Sequence, residues 1–224
     1  MYDLKINEVE VARYLGMKES QIDEETSAEI KRITEQLIVY VKDRAEYRVF
    51  DIQKENNSII VKGTNLKLKG KSIQKLLADC EQCILLAVTL GQRVDAQLRT
   101  LQVTSLNQAV IMDFCASSMV EELCNQLEEE LKAVWLNRGL YLTDRFSPGY
   151  GDMSLEVQAV LCEVLETSKK IGLHVTSSGI MIPKKSITAI IGIANKKQKM
   201  KIKGCKYCDF YKNCEYRKGG RVCD

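Results

Sequence analysis

One stretch of the chain combines residue types that together bind small charged ligands: it runs from Arg145 to Asp152 and reads RFSPGYGD. Arg145 supplies a planar guanidinium fork that suits a carboxylate. Tyr150 supplies an aromatic face that can sit against a cation, and Gly149 and Gly151 leave the backbone bare for close approach of a ligand. The stretch therefore suits a small zwitterionic ligand. The alternative is a tight strand-to-helix turn with an ordinary surface arginine.

A second chemical cluster lies near the C-terminus, where four of the nine cysteines fall in a short segment. Their spacing is C-x2-C-x5-C-x8-C, formed by Cys205, Cys208, Cys214 and Cys223. A C-x2-C pair followed by two further cysteines is typical of a metal-ligand set, and a segment this short needs a bound metal to fold. Zinc held by four thiolates and an iron–sulfur cluster both fit the spacing. Free thiols in a disordered tail are the alternative.

The elements on either side position the RFSPGYGD stretch. A strand is predicted over residues 140–144 and a helix over residues 154–168, and the Pro-Gly pair between them indicates a tight turn. Asp152 or Ser154 is suited to cap that helix. The turn then lies at a helix entrance, where free N–H groups and the positive end of the helix dipole favour an anion.

The rest of the chain mixes helices and strands without regular βαβ alternation, which favours an α+β fold with a mixed or antiparallel twisted sheet flanked by helices. Apolar spacing predicts further helices over residues 7–15, 22–43, 72–79, 93–101 and 106–136. A hairpin is predicted from residues 47–53 and 58–61, and other strands over residues 66–68, 83–89, 173–176, 180–182 and 186–194. At Asn195 the composition becomes lysine-rich. We therefore predict a main domain over residues 1–194 and a small cysteine-rich module over residues 195–224.

Composition narrows the class of protein. The net charge is only +3, so charge alone makes no case for binding nucleic acid. The first ten residues contain no apolar signal-peptide core, and no apolar run reaches the length of a membrane span. A cytoplasmic location is therefore expected, in which cysteines are reduced and serve metal, cluster or core roles rather than disulfides.

Several other residues are candidates for a functional role. The single histidine, His174, lies in a short apolar run, which predicts that it has a core or strand role. Cys80 and Cys83 form a C-x-x-C pair; the first is predicted to end a helix and the second to start a core strand, so both are interpreted as core residues. The long helix carries five glutamates that predict a solvated face, from which one carboxylate is placed to reach a ligand: Glu121, Glu122, Glu128, Glu129 and Glu130. Its opposite, apolar face is predicted to consist of Leu106, Val110, Phe114, Leu123, Leu127, Leu131 and Trp135.

The RFSPGY segment resembles the Arg-x-x-Pro-Gly-Tyr motif of the activation domain of cobalamin-dependent methionine synthase. Further segments are similar in register: Gln158 in the following helix, the run KIGLHVTS over residues 170–177, and Met181-x-Pro183-x-x-Ser186. Thr89-Leu-Gly91 and the long helix also fall in the expected order. The chain departs from the family after Tyr150, where the family commonly has a proline and then a loop bearing cysteine or histidine.

The resemblance implies that the chain binds S-adenosylmethionine and supports reductive remethylation of cob(II)alamin. A partner methionine synthase or another corrinoid protein would carry the cobalamin, and an outside donor would supply the electron. Arg145 is expected to hold the methionyl carboxylate, and Tyr150 is the expected catalytic residue, close to the sulfonium or the corrin face. The ligand is expected to contact Arg145, Ser147, Pro148, Gly149, Tyr150 and Gly151. Methyl transfer to cobalt needs no general acid or base, so catalysis would be mostly positioning.

The same resemblance suggests a role for the four C-terminal cysteines, because an iron–sulfur cluster bound there would supply the reducing electron. Two other functions stay open. The first is a zinc knuckle with a lysine-rich arm that docks on nucleic acid or on an acidic protein. The second is a non-catalytic assembly subunit with a vestigial ligand site. Salt-dependent nucleic-acid binding that is lost on deletion of residues 195–224 would identify the first, and failure to bind S-adenosylmethionine with an intact fold would favour the second.

Overall fold

The computed structural model describes residues 4–17 and 22–197. Contacts between residues divide the chain into two compact units. The first comprises Met1–Glu46, Ala87–Glu130 and Glu166–Ile187, and the second comprises Tyr47–Leu86, Leu131–Leu165 and Thr188–Asp224. The predicted cysteine-rich module lies almost wholly outside the described residues, so it stays a prediction.

Helices and strands are mixed along the described chain, as an α+β fold requires. The helices are α1 (Glu8–Tyr14), α2 (Glu24–Tyr40), α3 (Lys71–Leu76), α4 (Gln92–Thr104), α5 (Leu106–Leu136), α6 (Val157–Leu165) and α7 (Thr167–Lys170). The strands are β1 (Arg44–Glu55), β2 (Ser58–Val61), β3 (Lys67–Lys69), β4 (Cys80–Thr89), β5 (Tyr141–Leu142), β6 (His174–Val175), β7 (Met181–Ile182) and β8 (Ser186–Ala194).

Six strands form one sheet in the order β3-β2-β1-β4-β8-β5, and β6 and β7 form a separate pair. The predicted hairpin is confirmed: β1 and β2 are antiparallel, with Ile52 opposite Val61 and Glu55 opposite Ser58. β2 with β3 and β5 with β8 are also antiparallel pairs. The sheet and helices therefore confirm the α+β prediction for the described residues.

The parts of β4 and β8 that lie in the second unit include buried apolar runs, residues 83–86 and 189–194. Gly192 in β8 allows a close approach there: an added Cβ would lie 2.5 Å from Cys80 Sγ and 2.6 Å from Leu77 Cδ2. Cys80 was predicted to end a helix, which is wrong. α3 ends at Leu76, and Cys80 is the first residue of β4.

The long helix has the predicted bounds, Leu106–Leu136, but its buried stripe differs at the N-terminal end. Leu106 is 68% exposed and Val110 is 40% exposed, whereas Met112 and Met119 are buried. From Leu123 onward the predicted apolar face is buried as expected. No helix within the described residues is long and apolar enough to cross a membrane.

Two helices of the first unit begin at side chains that satisfy their first N–H groups. Asn7 Oδ1 accepts hydrogen bonds from Val9 and Glu10, which starts α1. Asp23 Oδ1 accepts one from Thr26 at 2.8 Å, which starts α2. A side-chain cap of this kind contributes about 1 kcal/mol to helix stability.

Candidate functional site

A one-residue bulge precedes the RFSPGYGD stretch in the second unit. β5 pairs with β8 at Tyr141 and Ala194, and at Leu142 and Ile193. The next bridge joins Phe146 to Ile190. Three residues of the first strand therefore face two residues of β8, which defines a β-bulge. Bulges re-aim side chains and often lie beside active sites.

The bulge places Thr143 and Phe146 in the core together. Their side chains are 2% and 1% exposed, although residues three apart in a regular strand face opposite sides. Thr143 Oγ1 accepts a hydrogen bond from the Gly192 N–H at 2.8 Å, and Phe146 exchanges two backbone hydrogen bonds with Ile190 at 2.9 Å. Burying a phenylalanine contributes about 1.5–3 kcal/mol, which exceeds the roughly 0.5–1.5 kcal/mol of one lost ladder hydrogen bond. The half-buried Arg145 therefore extends from an anchored segment.

The turn after Phe146 is closed by its own backbone. The Tyr150 N–H donates to the Ser147 carbonyl at 3.1 Å, the Gly149 N–H donates to the Met153 carbonyl at 3.1 Å, and the Met153 N–H donates to the Tyr150 carbonyl at 3.2 Å. Gly149 at φ 83° and Gly151 at φ 55° occupy the left-handed region that glycine favours. The N–H groups of Gly149, Tyr150 and Met153 are therefore used internally and are not available to a ligand.

The aromatic ring of Tyr150 is held against the core at one edge. Its centroid lies 5.5 Å from that of Phe146, and the ring planes are at 87°. Tyr150 is nevertheless 45% exposed. Pro148 is buried and Ser147 is half-buried. The structure thus brings all the predicted ligand-contacting residues, from Arg145 to Gly151, into one turn, and their roles toward a ligand stay predictions.

The helix after the turn begins later than predicted. α6 starts at Val157, not at Ser154. Ser154 Oγ instead accepts a hydrogen bond from the Glu156 N–H at 3.2 Å in a preceding turn. The helix ends at Leu165 because the next residue, Glu166, has left-handed backbone at φ 55°. The helix N-terminus that was predicted to favour an anion therefore lies further along the chain from Tyr150.

Asp152 was one of the two residues predicted to cap the following helix, but it caps α3 instead. Its two carboxylate oxygens accept hydrogen bonds from the backbone N–H groups of Lys71 and Ser72, the latter at 3.1 Å. Gly70, the residue before α3, has no side chain that could serve as a cap. A carboxylate is stabilised at such a position by free N–H groups and the helix dipole. Asp152 therefore ties the turn to a helix 80 residues earlier.

Gly70 makes this close contact possible. Its φ is 127°, and an added Cβ would lie 2.9 Å from Asp152 Oδ1 and 3.0 Å from the Asp152 carbonyl oxygen. Burial raises the pKa of Asp152, but the hydrogen bonds from the Ser72 and Lys71 N–H groups outweigh it and lower that pKa overall. The cap is therefore a charged carboxylate at neutral pH.

Two other motif segments of the resemblance, Thr89-Leu-Gly91 and Pro183-x-x-Ser186, meet in the first unit, where they hold strand ends together. The hydroxyl oxygens of Thr89 and Ser186 are 2.8 Å apart. Ser186 Oγ also donates to the Pro183 carbonyl at 2.7 Å, and Thr89 Oγ1 accepts from the Gly91 N–H at 3.1 Å. These segments thus join the end of β4 to the start of β8 through buried polar contacts.

The glutamates of α5 form the predicted solvated face only in part, since Glu129 and Glu130 are exposed. Glu128 is only 3% exposed, and Glu121 and Glu122 are half-buried. Glu128 was predicted to lie on the solvated face, although its position four residues after Cys124 and three before Leu131 places it on the apolar face. It is the buried carboxylate to test beside Glu121 and Glu122 in any search for a ligand partner on this helix.

Two remaining candidates have clear positions. His174 begins the short strand β6 and is exposed, so the predicted strand role is observed and the core role is wrong. Gln158, one of the positions of resemblance, is buried within α6.

The five cysteines within the described residues are buried. Burial raises the pKa of Cys80 to about 11, of Cys83 to about 12 and of Cys115 to about 11, which supports a core role for each. Residues 4–17 and 22–197 contain no group of three or more potential metal ligands. The predicted metal ligands lie outside the described residues, and their site stays a prediction: Cys205, Cys208, Cys214 and Cys223.

Comparison with known proteins supports the fold. No protein-family model matches the sequence, and no curated protein matches it. Among solved structures, the chain is similar to the crystal structure of the MetH reactivation domain bound to AdoHcy, with a TM-score of 0.65. The sequence identity is 15%, and the similarity covers 96% of this chain and 82% of that one. At this identity the similarity establishes the fold, and that fold agrees with the resemblance carried by the RFSPGY segment.

Proposed function

We propose that this chain binds S-adenosylmethionine at the turn over residues 145–151 and supports reductive remethylation of cob(II)alamin in a partner corrinoid methyltransferase. The observation that carries the proposal is the RFSPGY turn, which is set on a β-bulge in a fold similar to that of the MetH reactivation domain. That domain was crystallised with AdoHcy, the molecule that remains when S-adenosylmethionine gives up its methyl group.

The side chains of the turn suit the charges of this ligand. Arg145 presents a guanidinium fork that pairs with the methionyl carboxylate through two parallel hydrogen bonds. The exposed face of Tyr150 is suited to the positive sulfonium, and Phe146 holds that ring in one orientation. Carbonyl oxygens of the turn are acceptors for the ligand ammonium. Asp152, tied to α3, positions the turn and does not contact the ligand in this account.

In this reaction the chain has to position the reactants, and it does not have to transfer a proton. An outside donor gives one electron to the cob(II)alamin substrate, and the reduced cobalt then attacks the methyl carbon with an electron pair. The carbon–sulfur bond breaks, its electron pair stays on sulfur, and S-adenosylhomocysteine leaves. No proton moves, so the site needs no histidine, and correct placement of the sulfonium supplies the rate gain.

The corrinoid and the electron come from outside the described residues. In this proposal the partner corrinoid protein carries the cobalamin. The C-terminal cysteine quartet would hold zinc or an iron–sulfur cluster, and a cluster would let this chain deliver the electron itself. Metal and sulfide analysis of anaerobically purified protein distinguishes the two occupants.

A labelled-methyl assay tests the function. The full chain is incubated anaerobically with cob(II)alamin, a low-potential one-electron reductant and S-adenosylmethionine labelled in its methyl group. We expect labelled methylcobalamin well above the protein-free background, and Arg145→Ala should return it to that background. Arg138→Ala is the matched control, because Arg138 lies over the Trp135 ring at 5.0 Å and outside the turn. Equal transfer by wild type and Arg145→Ala would contradict the assignment of the turn.

A further inference from the structure

The first unit contains a groove of about 320 Å³ whose charged lining residues are all cations. Lys42, Arg44 and Arg93 line it, together with two glycines and three uncharged residues: Gly91, Gly172, Gln92, Ile171 and Pro183. Small-molecule sites in proteins begin at about this volume. A groove lined by charge of one sign concentrates its electric field inward and attracts ions of the opposite sign.

The positive charge of the groove is not neutralised by acidic side chains. Within residues 4–17 and 22–197, none of Lys42, Arg44 and Arg93 forms an ion pair. Glu46, two residues from Arg44 along β1, is engaged instead by Lys170 at 2.6 Å. Arg93 lies over the ring of Tyr40 at 5.7 Å, a contact that orients its guanidinium without removing its charge.

Two glycines, Gly91 and Gly172, allow the cationic residues to lie close together around the groove. An added Cβ at Gly91 would lie 3.2 Å from the Lys42 carbonyl oxygen, so the glycine allows the Lys42 backbone to approach the start of α4. At Gly172, an added Cβ would lie 3.8 Å from Arg44 Nη1, which places that guanidinium beside bare backbone. Arg44 is half-buried while Lys42 and Arg93 are exposed, so Arg44 is the deepest of the three charges.

We infer that this groove is an anion-binding site for a phosphate group. Three uncompensated cations match the two negative charges of phosphate better than the single charge of a carboxylate, and the guanidinium forks of Arg44 and Arg93 match its oxygen geometry. α4 starts in the same groove without a side-chain cap, which adds N–H donors of the kind that phosphates use. S-adenosylmethionine contains no phosphate and has a net positive charge, so this ligand is a second one.

The test uses inorganic phosphate and ADP as separate probes in calorimetric titrations of the full chain. We expect saturable binding that weakens as salt is raised, because the contacts are ionic. Arg44→Gln should weaken binding by about tenfold or more, and Arg44→Lys should give an intermediate loss because it keeps the charge and removes the fork. Arg99→Gln is the matched control, since Arg99 is exposed on α4 but does not line the groove.

The two probes also identify the source of the phosphate. Equal affinity for both identifies a free phosphate site, and tighter binding of ADP identifies the phosphate of a nucleotide. Binding of neither probe below ~10 mM, or equal binding by wild type and a folded Arg44→Gln chain, would overturn the inference. S-adenosylmethionine binding by Arg44→Gln should equal that of wild type, so failure of this site is distinguishable from failure of the proposed function.

Discussion

The carboxylate of Asp152 accepts a hydrogen bond from the backbone N–H of Ser72 at 3.1 Å, across 80 positions of sequence. This contact joins the end of the RFSPGYGD turn to the start of α3. It lies where the sequence departs from the family that the turn resembles. Asp152, which lies outside the resembling motif, therefore has a structural role: it holds the turn in place.

Removal of the Asp152 carboxylate should destabilise the protein most at neutral pH. Asp152→Ala leaves N–H groups of α3 without their acceptor, and we expect the free energy of unfolding to fall by about 1 kcal/mol. The folded-state pKa of Asp152 is lowered, so its stabilisation is present above the unfolded-state pKa and is lost as pH falls through the folded-state pKa. Urea unfolding at neutral and acid pH measures both effects.

The control for this prediction is Glu156→Ala, an exposed acidic residue just beyond the same turn. It should leave stability nearly unchanged at both pH values. If Asp152→Ala and Glu156→Ala unfold at the same urea concentration at neutral pH, the cap contributes nothing measurable.

Gly70→Ala should disturb the same contact from the opposite side. The new Cβ would lie 2.9 Å from Asp152 Oδ1, and φ is 127°. Gly63→Ala is the matched variant: Gly63 also has positive φ, at 75°, but a Cβ there meets nothing within 4 Å. We expect Gly70→Ala to be less stable than Gly63→Ala by about 1–3 kcal/mol. Thermal melts of the two variants give the comparison, and equal melting temperatures would contradict it.

Elements whose residues decide their own conformation could be predicted from sequence. The bounds of α5 and β8 were predicted correctly, because helical apolar spacing and a β-branched apolar run are local signals. The turn over residues 145–151 was also predicted from its Pro-Gly pair and flanking glycines. Cap assignment near Asp152 failed, since the competing partner was the start of α3, far away in sequence.

The β-bulge before Phe146 and the buried carboxylate of Glu128 show why the rest of the site could not be predicted. The shift of register after Leu142 depends on which residue of β8 lies opposite Phe146, and no local pattern encodes that pairing. Glu128 is buried although its neighbours in sequence are acidic. A run of glutamates indicates a solvated face by composition, while helical spacing alone places this one on the apolar side.

The hydroxyl pair of Thr89 and Ser186 should behave as one energetic unit. Ser186→Ala leaves a buried Thr89 hydroxyl with one partner fewer, so we expect a loss of about 1–3 kcal/mol. Thr89→Val should cost a similar amount, and the double variant should cost less than the two single losses combined. A double-mutant cycle by urea unfolding measures this coupling. Additive losses would show that the hydroxyls act independently.

Three core thiols should resist modification in the folded protein. Burial raises the pKa of Cys80, Cys83 and Cys115 to about 11, about 12 and about 11. A raised thiol pKa keeps the group protonated at neutral pH, and the protonated form is a poor nucleophile. Alkylation followed by peptide mass mapping should leave these three unmodified until urea is added. Rapid labelling of Cys80 or Cys83 in the native protein would contradict their assignment to the core.

The most direct test of the central claim is a calorimetric titration of S-adenosylmethionine into the anaerobically purified full chain. We predict saturable one-site binding that is abolished by Arg145→Ala in a protein with an unchanged circular dichroism spectrum and retained by Arg138→Ala. The absence of binding to the folded wild-type chain, or equal affinity in wild type and Arg145→Ala, would contradict the claim that the turn after the β-bulge is the S-adenosylmethionine site.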